Sequence, residues 1–163
     1  MKRSILAVLV LSMATLFSCQ NINAQGNNIL AHRAKSKTPA EWKAILTPDQ
    51  YEIMVNRGTE PPFHNAYDEN FQKGYYKSAA TGDILFYSDD KFDSGTGWPS
   101  FVKPADMSKI EIVQDNSFGM SRDEVIEKST GLHLGHVFDD GPADRGGKRY
   151  CMNSAALIFV KTK

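Results

Sequence analysis

The residues best suited to chemistry in this sequence are one thiol and two nearby histidines. Cys151 stands at the centre of a strand-like run, 149–153. Because strand side chains alternate between faces, Arg149, Cys151 and Asn153 are predicted to share one face. The guanidinium of Arg149 favours the nucleophilic thiolate, and the amide of Asn153 is suited to orienting a substrate or water. A cysteine packed as a small hydrophobic residue is the alternative.

His133 and His136 belong to a second strand-like run, 132–138. A regular strand points residues three apart to opposite faces, but Gly135 permits a bulge that aims both imidazoles at one pocket. Imidazole is the side chain best suited to proton transfer near neutral pH. The alternative is one core histidine and one surface histidine. A metal site is disfavoured, since neither a third histidine nor a thiolate pair at ligand spacing accompanies them.

Two loops are candidates to shape a pocket around these groups. The glycine-rich stretch 93–101 carries Trp98 and Phe101, whose rings either wall a pocket for an apolar group or fill the core. The stretch 58–63 contains two consecutive prolines and either frames the site or links a helix to a sheet.

The elements that position these residues are two helices and a set of strands. Thr38 and Thr47 each begin the pattern Thr-Pro-x-Glu/Gln, which is typical of a capping box with a first-turn proline. Gly58 is predicted to end the second helix. Strand-like runs occupy 74–78, 83–88, 110–114, 124–127, 132–138 and 149–160. The predicted fold class is mainly β: antiparallel sheets carry the site, and the two short N-terminal helices pack across them.

Composition limits the classes of function. A chain of 163 residues with 41% hydrophobic content fits one domain. Its 19 basic residues equal its 19 acidic residues, so no positive surface argues for nucleic acid as a partner. The sequence has neither a phosphate-binding glycine loop nor a dinucleotide fingerprint, and nucleotide cofactors therefore lack support.

The first residues have the order of an export signal. Lys2 and Arg3 precede an apolar run, 5–17, which is shorter than the roughly 20 residues that span a bilayer. The stretch ending at Cys19 resembles a lipoprotein signal, in which this cysteine receives the lipid; cleavage after Ala24 is the alternative. Either outcome leaves the mature domain one usable thiol, which in an exported protein is a candidate reactive group.

We therefore divide the chain into an export signal at 1–19, a flexible tether at 20–36 and a domain at 37–163. The expected location is the periplasm or cell envelope, with Cys19 as a membrane anchor in the lipoprotein case.

Four segments resemble the methionine-R-sulfoxide reductases of the B type, and they follow the order of that family. They are RGTEPPF at 57–63, KFDSGTGWPSF at 91–101, HLGHVFDDGP at 133–142 and RYCMNS at 149–154. The resemblance implies a β-tent (Mss4-like) fold and reduction of the R epimer of methionine sulfoxide in proteins. It also implies a thioredoxin-like thiol reductant as partner.

By this resemblance, Cys151 is the nucleophile that attacks the sulfoxide sulfur, and Arg149 supports its thiolate. Trp98 helps form the pocket for the substrate methyl group, and Phe138 and Asp140 match further substrate-binding positions.

The resemblance also implies that His133, His136 and Asn153 activate and orient the sulfoxide oxygen. Physical chemistry agrees, because this oxygen is a poor leaving group until it is protonated. Attack ends in methionine and a sulfenic acid on Cys151.

The sequence departs from the family pattern at two places. Many members bind a structural zinc through two Cys-x-x-Cys pairs, whose positions hold Ser78 with Thr81 and Glu127 with Thr130 here. Hydroxyls are poor zinc ligands, so we expect no zinc and no other cofactor. Thr96 stands where many members have a resolving cysteine, so recycling cannot follow their usual internal disulfide.

Two other classes of function compete. A Cys-His hydrolase would use the same thiol and an imidazole base, but it leaves Trp98 unexplained and lacks an acyl-binding signature. A binding module that has lost turnover would explain the missing second cysteine, although the intact thiol, histidines and Trp98 speak against it.

Overall fold

The computed structural model describes residues 33–163. Two short helices come first, α1 (Pro39–Ile45) and α2 (Pro48–Met54). Nine strands follow: β1 (Gly74–Ser78), β2 (Ile84–Tyr87), β3 (Lys91–Phe92), β4 (Ser100–Phe101), β5 (Ile110–Asp115), β6 (Arg122–Glu127), β7 (His133–Phe138), β8 (Arg149–Met152) and β9 (Leu157–Lys161). The predicted fold class, mainly antiparallel β with two helices at the N-terminal side, is confirmed.

Both helices begin as the sequence predicts. The hydroxyls of Thr38 and Thr47 accept hydrogen bonds from the backbone N–H groups of Glu41 and Gln50. The side chains of Glu41 and Gln50 in turn accept hydrogen bonds from the backbone N–H groups of Thr38 and Thr47. The prediction that Gly58 ends α2 is wrong in detail. The helix ends at Met54, and Arg57, rather than a glycine, adopts the left-handed conformation with φ of 61°.

The strands form two sheets in which every pair is antiparallel. One sheet has the order β2-β1-β9 and the other has the order β3-β4-β8-β7-β6-β5. The long run predicted at 149–160 is two strands, because a short 3-10 turn at Ser154–Ala156 carries the chain from the six-stranded to the three-stranded sheet. The two-residue strands β3 and β4 are too short for a periodic signal.

The core lies between the two sheets and the helices. Phe86 of the small sheet stacks on Phe101 of the large sheet at 4.4 Å between ring centroids, and Tyr76 meets the same ring edge-on at 5.1 Å. Trp42 and Met54 bring the helices into this cluster. Since Tyr150 and Met152 also point into the core, the opposite face of β8 is left for polar residues.

The N-terminal assignments fall mostly outside the described part of the chain. The export signal at 1–19 and the cleavage sites at Cys19 and Ala24 lie outside the described residues, as does most of the tether. Its last residues contact the domain, since Arg33 donates to Glu111 at 2.7 Å and Lys35 N–H donates to the Ser129 carbonyl at 2.8 Å. None of the helices within residues 33–163 has the length and apolar character needed to cross a membrane.

Candidate active site

The polar face of β8 carries the thiol. Cys151 pairs with Ser100 of β4 on one side and with His136 of β7 on the other, while Arg149 pairs with Phe138. Directly opposed residues on neighbouring strands share a face and lie about 5 Å apart at Cβ. The register of three strands therefore brings a hydroxyl, the thiol and an imidazole into one row, and the predicted alternation along β8 is confirmed.

A bulge in β7 brings the two histidines together. Val125 of β6 pairs with Gly135, and the next residue, Ile126, pairs with His133, so Leu134 is the extra residue. The rings of His133 and His136 consequently lie 5.3 Å apart between centroids. The predicted bulge is confirmed, and it converts a spacing of three residues into a shared face.

Gly135 allows β7 and β8 to approach closely. A Cβ at this position would lie 2.1 Å from the carbonyl oxygen of Cys151 and 2.9 Å from the Cα of Met152. Such contacts are far inside van der Waals distance, so only glycine fits beside the thiol-bearing residue. The spacing His-x-Gly-His in the sequence thus reflects a packing requirement as well as a conformational one.

A pocket of about 130 Å³ opens beside the thiol. It is lined by Thr59, Trp98, Arg122, Gly135, His136, Phe138, Cys151, Met152 and Asn153. The Trp98 ring is fixed because its Nε1–H donates to the carbonyl of Glu60 at 3.0 Å. A larger groove of about 610 Å³ lies beside α2, but its lining contains neither Cys151 nor His136. We assign the candidate site to the smaller pocket because it holds the Cys151 thiol.

The Cys151 thiol is under two opposed influences. Burial raises its pKa above the ordinary value, and the charge of Arg149 with hydrogen bonds from Thr96 and Ser100 lowers it. Burial is the larger effect, so the net shift is upward. Arg149 therefore stabilises the thiolate as the sequence predicts, but the thiol is protonated at neutral pH before substrate binds.

Arg149 is held in place by two other predicted site residues. Its Nε and Nη2 donate to the two carboxylate oxygens of Asp140 at 2.8 and 2.9 Å. Its guanidinium lies 4.3 Å from the centre of the Phe138 ring. Phe138 lines the pocket, whereas Asp140 is not among its lining residues and acts on Arg149.

His133 is buried and neutral. Its Nδ1 bonds to Glu124 at 2.6 Å, and its Nε2 faces the Asn153 amide nitrogen at 3.3 Å. Burial lowers the pKa of His133 to about 4, and the nearby charge of Arg57 acts in the same direction. A neutral ring that donates from Nδ1 to a carboxylate accepts at Nε2. His133 thus serves as an acceptor within the protein.

Asn153 is committed to the protein framework. Its amide nitrogen bonds to His133 and donates to the Leu134 carbonyl at 3.2 Å, and its Oδ1 accepts from the N–H of Glu60 at 3.2 Å. The residue is only 3% exposed. Sequence reasoning assigned it to orienting the substrate; the structure joins it to β7 and to the loop that carries Glu60.

His136 is the histidine that borders the pocket. Its Nε2 lies 2.9 Å from the carboxylate of Asp115 on β5. Burial lowers the pKa of His136, and the bond to Asp115 opposes that effect. Burial alone would raise the pKa of Asp115, but bonds from Ser117, His136 and Arg122 hold it well below its ordinary value. The carboxylate is therefore ionised and can only accept.

Three supporting acids were missed by sequence reasoning. Asp115 lies just beyond the predicted strand 110–114, and in the structure it is the last residue of β5. Glu124 is 1% exposed on β6, where it bonds to His133 and pairs with Arg57. Glu60 accepts the backbone N–H groups of Ser154 and Ala155. A charged residue inside a strand of buried residues was the available signal for Glu124.

Comparison with known proteins identifies the family. The model of the SelR domain matches residues 46–161, which is more than half of the chain. The chain belongs to the SelR family. This SelR chain is 48% identical over 130 residues to the peptide methionine sulfoxide reductase MsrB of Methanosarcina barkeri, covering 80% of the chain and 91% of that protein. It is 46% identical over 132 residues to the enzyme of the same name from Methanosarcina mazei, covering 81% and 94%. The resemblance predicted from the four motifs is confirmed.

Of the four positions that match zinc ligands in many SelR domains, two place their hydroxyls on the carboxylate of the third, Glu127. Glu127 is 0% exposed and accepts from the hydroxyls of Thr81 and Thr130, the latter at 2.8 Å. Ser78 accepts the N–H of Thr81. Zinc in structural sites takes thiolates and imidazoles, so this donor set does not fit it. Within residues 33–163 no group of three or more His, Cys, Asp or Glu side chains is arranged around a common point.

The balance of charges at Cys151 predicts the pH dependence of its alkylation. Because the thiolate is the reactive form, alkylation of the Cys151 peptide by iodoacetamide in the SelR chain should rise with pH to a midpoint above that of free cysteine. Arg149→Gln removes a charge that lowers the pKa, so the midpoint should move higher still. Lys148→Gln, an exposed neighbour, is the control and should leave it unchanged. A midpoint below that of free cysteine would contradict the assigned balance.

Proposed function

We propose that this protein reduces the R epimer of methionine sulfoxide in proteins to methionine, with Cys151 as the nucleophile. The observation that carries the proposal is the row formed by Cys151 and His136 in a pocket walled by Trp98 and Phe138. Relatives with nearly half of their residues identical are named peptide methionine sulfoxide reductases, which supports the same activity here.

The reaction balances without an added proton. The Cys151 sulfur attacks the sulfoxide sulfur, the oxygen is protonated, and the oxygen passes to Cys151 as its bond to the substrate breaks. Methionine and a sulfenic acid on Cys151 are the products. The substrate sulfur gains two electrons and the cysteine sulfur loses them. Because the thiol is neutral in the free enzyme, its own proton is the one that remains in the sulfenic acid.

His136 is suited to carry that proton. It lies directly opposite Cys151 and borders the pocket, whereas His133 is enclosed by Glu124 and Asn153. The sulfoxide oxygen would lie on the His136 side, and the methyl group against the Trp98 and Phe138 rings. A thiol on one side and an imidazole on the other give the pocket a handedness, which supports selection of one epimer.

The sulfenic acid is reduced by a thiol from outside the domain. Cys151 is the one free cysteine among the described residues, and the Thr96 hydroxyl that contacts it has no redox chemistry. An external thiol forms a mixed disulfide with Cys151 and releases water, and a second thiol of the same reductant then frees the enzyme. A thioredoxin-like protein is the kind of partner that supplies two such thiols.

Cys151→Ser tests the nucleophile, and trapping tests the intermediate. The variant should fold and lose reduction of separated R epimer by dithiothreitol, because a hydroxyl is not comparably nucleophilic at neutral pH. The unaltered chain, mixed with excess sulfoxide and no reductant, should yield one methionine and one sulfenate adduct on Cys151. Thr96→Cys should divert this intermediate into an internal disulfide.

Parent-like activity of folded Cys151→Ser would refute the assignment. An internal disulfide in the unaltered chain after turnover would refute the external recycling step. Hydrolysis of an ester or amide substrate in place of sulfoxide reduction would favour the Cys-His hydrolase instead.

We also propose that the domain is stable without zinc, because the bonds of Glu127 with Thr81 and Thr130 link β6 to the turn after β1. Chelation should leave the melting temperature unchanged. Glu127→Ala should lower the free energy of unfolding by about 2 kcal/mol or more, because it leaves two hydroxyls without their acceptor and opens a cavity. Glu69→Ala, at an exposed carboxylate, is the control. Stoichiometric zinc in the untagged protein would contradict the proposal.

The order of residues in the N-terminal segment supports the proposal that this protein is exported and repairs proteins in the cell envelope. The sequence favours cleavage before Cys19 and lipidation of its thiol, which tethers the enzyme to a membrane surface. Mass spectrometry of the mature protein from its native cell should find a lipidated Cys19 as the first residue. An unmodified N-terminus at Gln25 would instead indicate soluble export.

A further inference from the structure

The carboxylate of Asp115 is surrounded by donors on the far side of His136. Its Oδ2 accepts from His136 Nε2 at 2.9 Å and from Arg122 Nη2 at 2.6 Å, and its Oδ1 accepts the Ser117 N–H at 2.9 Å. The Asp115 side chain is only 13% exposed. The three donors come from β6, from β7 and from the turn between β5 and β6, so the position of the carboxylate is fixed from several directions.

This arrangement determines which nitrogen of His136 holds a hydrogen. An ionised carboxylate only accepts, so Nε2 of His136 must donate to it. In the neutral ring the other nitrogen, Nδ1, is then the one that takes up or gives a proton. Register joins this ring to the reacting sulfur, because His136 is the direct cross-strand partner of Cys151.

Arg122 acts on the same carboxylate. It pairs with Asp115 across β5 and β6, and it also lines the pocket that holds Cys151. Its second bond, to the Ser117 hydroxyl at 3.3 Å, ties it to the turn after β5. Arg122 therefore keeps Asp115 ionised and aimed at His136.

We propose that Asp115 and Arg122 are positioning residues for the reduction step: Asp115 fixes the tautomer and the direction of the His136 ring, and Arg122 fixes Asp115. The kinetic part of this inference rests on the proposed function. The tautomer and its electrostatics are properties of the protein alone and are measured without turnover.

The groups that face His136 act on it with opposite signs. Burial and the neighbouring ring of His133 lower its pKa, as does the charge of Arg122, whereas Asp115 raises it through a hydrogen bond and its charge. The other titratable or charged groups on the strands and loop around this face are Arg57, Glu124, Arg149 and Cys151. Removing Asp115 and removing Arg122 should therefore shift the His136 titration in opposite directions, which a purely structural role of the two residues does not predict.

The test is a nitrogen NMR titration of the histidine rings in the full-length chain. In the parent, the neutral His136 ring should carry its hydrogen on Nε2. Asp115→Asn should lower the titration midpoint of His136 by about one pH unit or more, and Arg122→Gln should raise it. Arg122→Lys, which keeps the charge, should restore most of the parent midpoint. Asp123→Asn is the control, since this exposed carboxylate neighbours Arg122 in the chain but points to the other face of β6.

Single-turnover kinetics give the second readout. Asp115→Asn should slow reduction of the R sulfoxide at saturating substrate by at least about tenfold, while the half-saturating concentration stays within about twofold. Midpoints that do not move, or that move in the same direction in both variants, would overturn the inference. If Asp115→Asn does not fold, the pair Arg122→Gln and Arg122→Lys decides it alone. A parent chain that shows no sulfoxide reduction would refute the proposed function and leave the titration result standing.

Discussion

The close pairing of β7 with β8 is the contact on which the site depends. It sets Cys151 against His136 and Phe138 against Arg149, and it exists because Gly135 has no side chain to meet the carbonyl of Cys151. Backbone hydrogen bonds and the pleat then determine the positions of the reactive groups without any flexible segment between them. A constellation built on paired strands is held more precisely than one built on loops.

Around this pair, the site is organised as two histidines with different tasks. His133 bonds to Glu124 on the adjacent strand β6, and His136 bonds to Asp115 at the end of β5, one strand further on. Each carboxylate is in turn paired with an arginine. The environments separate the two, since His133 is enclosed and neutral while His136 borders the pocket. Environments that differ in this way allow chemically identical side chains to serve as acceptor and donor within one site.

The sequence was sufficient for the elements with strong local signals. Both capping boxes, the alternation along β8 and the bulge at Gly135 depend on neighbours within a few residues, and the structure has all three. The bonds of Asp115 and Glu124 to the two histidines could not be predicted this way, because these residues join the site only through the registers of β5, β6 and β7. The sequence also could not predict that the pKa of Cys151 is raised. It shows Arg149, which lowers this pKa, but it does not show how deeply the sulfur is buried.

The cluster at Glu127 has a consequence for the chemistry that this corner of the fold can undergo. A corner held by metal-bound thiolates is vulnerable to oxidants, which attack thiolates and can release the metal. Hydroxyls bonded to a carboxylate do not undergo that chemistry. In the described part of the chain, the Cys151 thiol is thus separate from the hydroxyl and carboxylate groups that link β6 to the turn after β1.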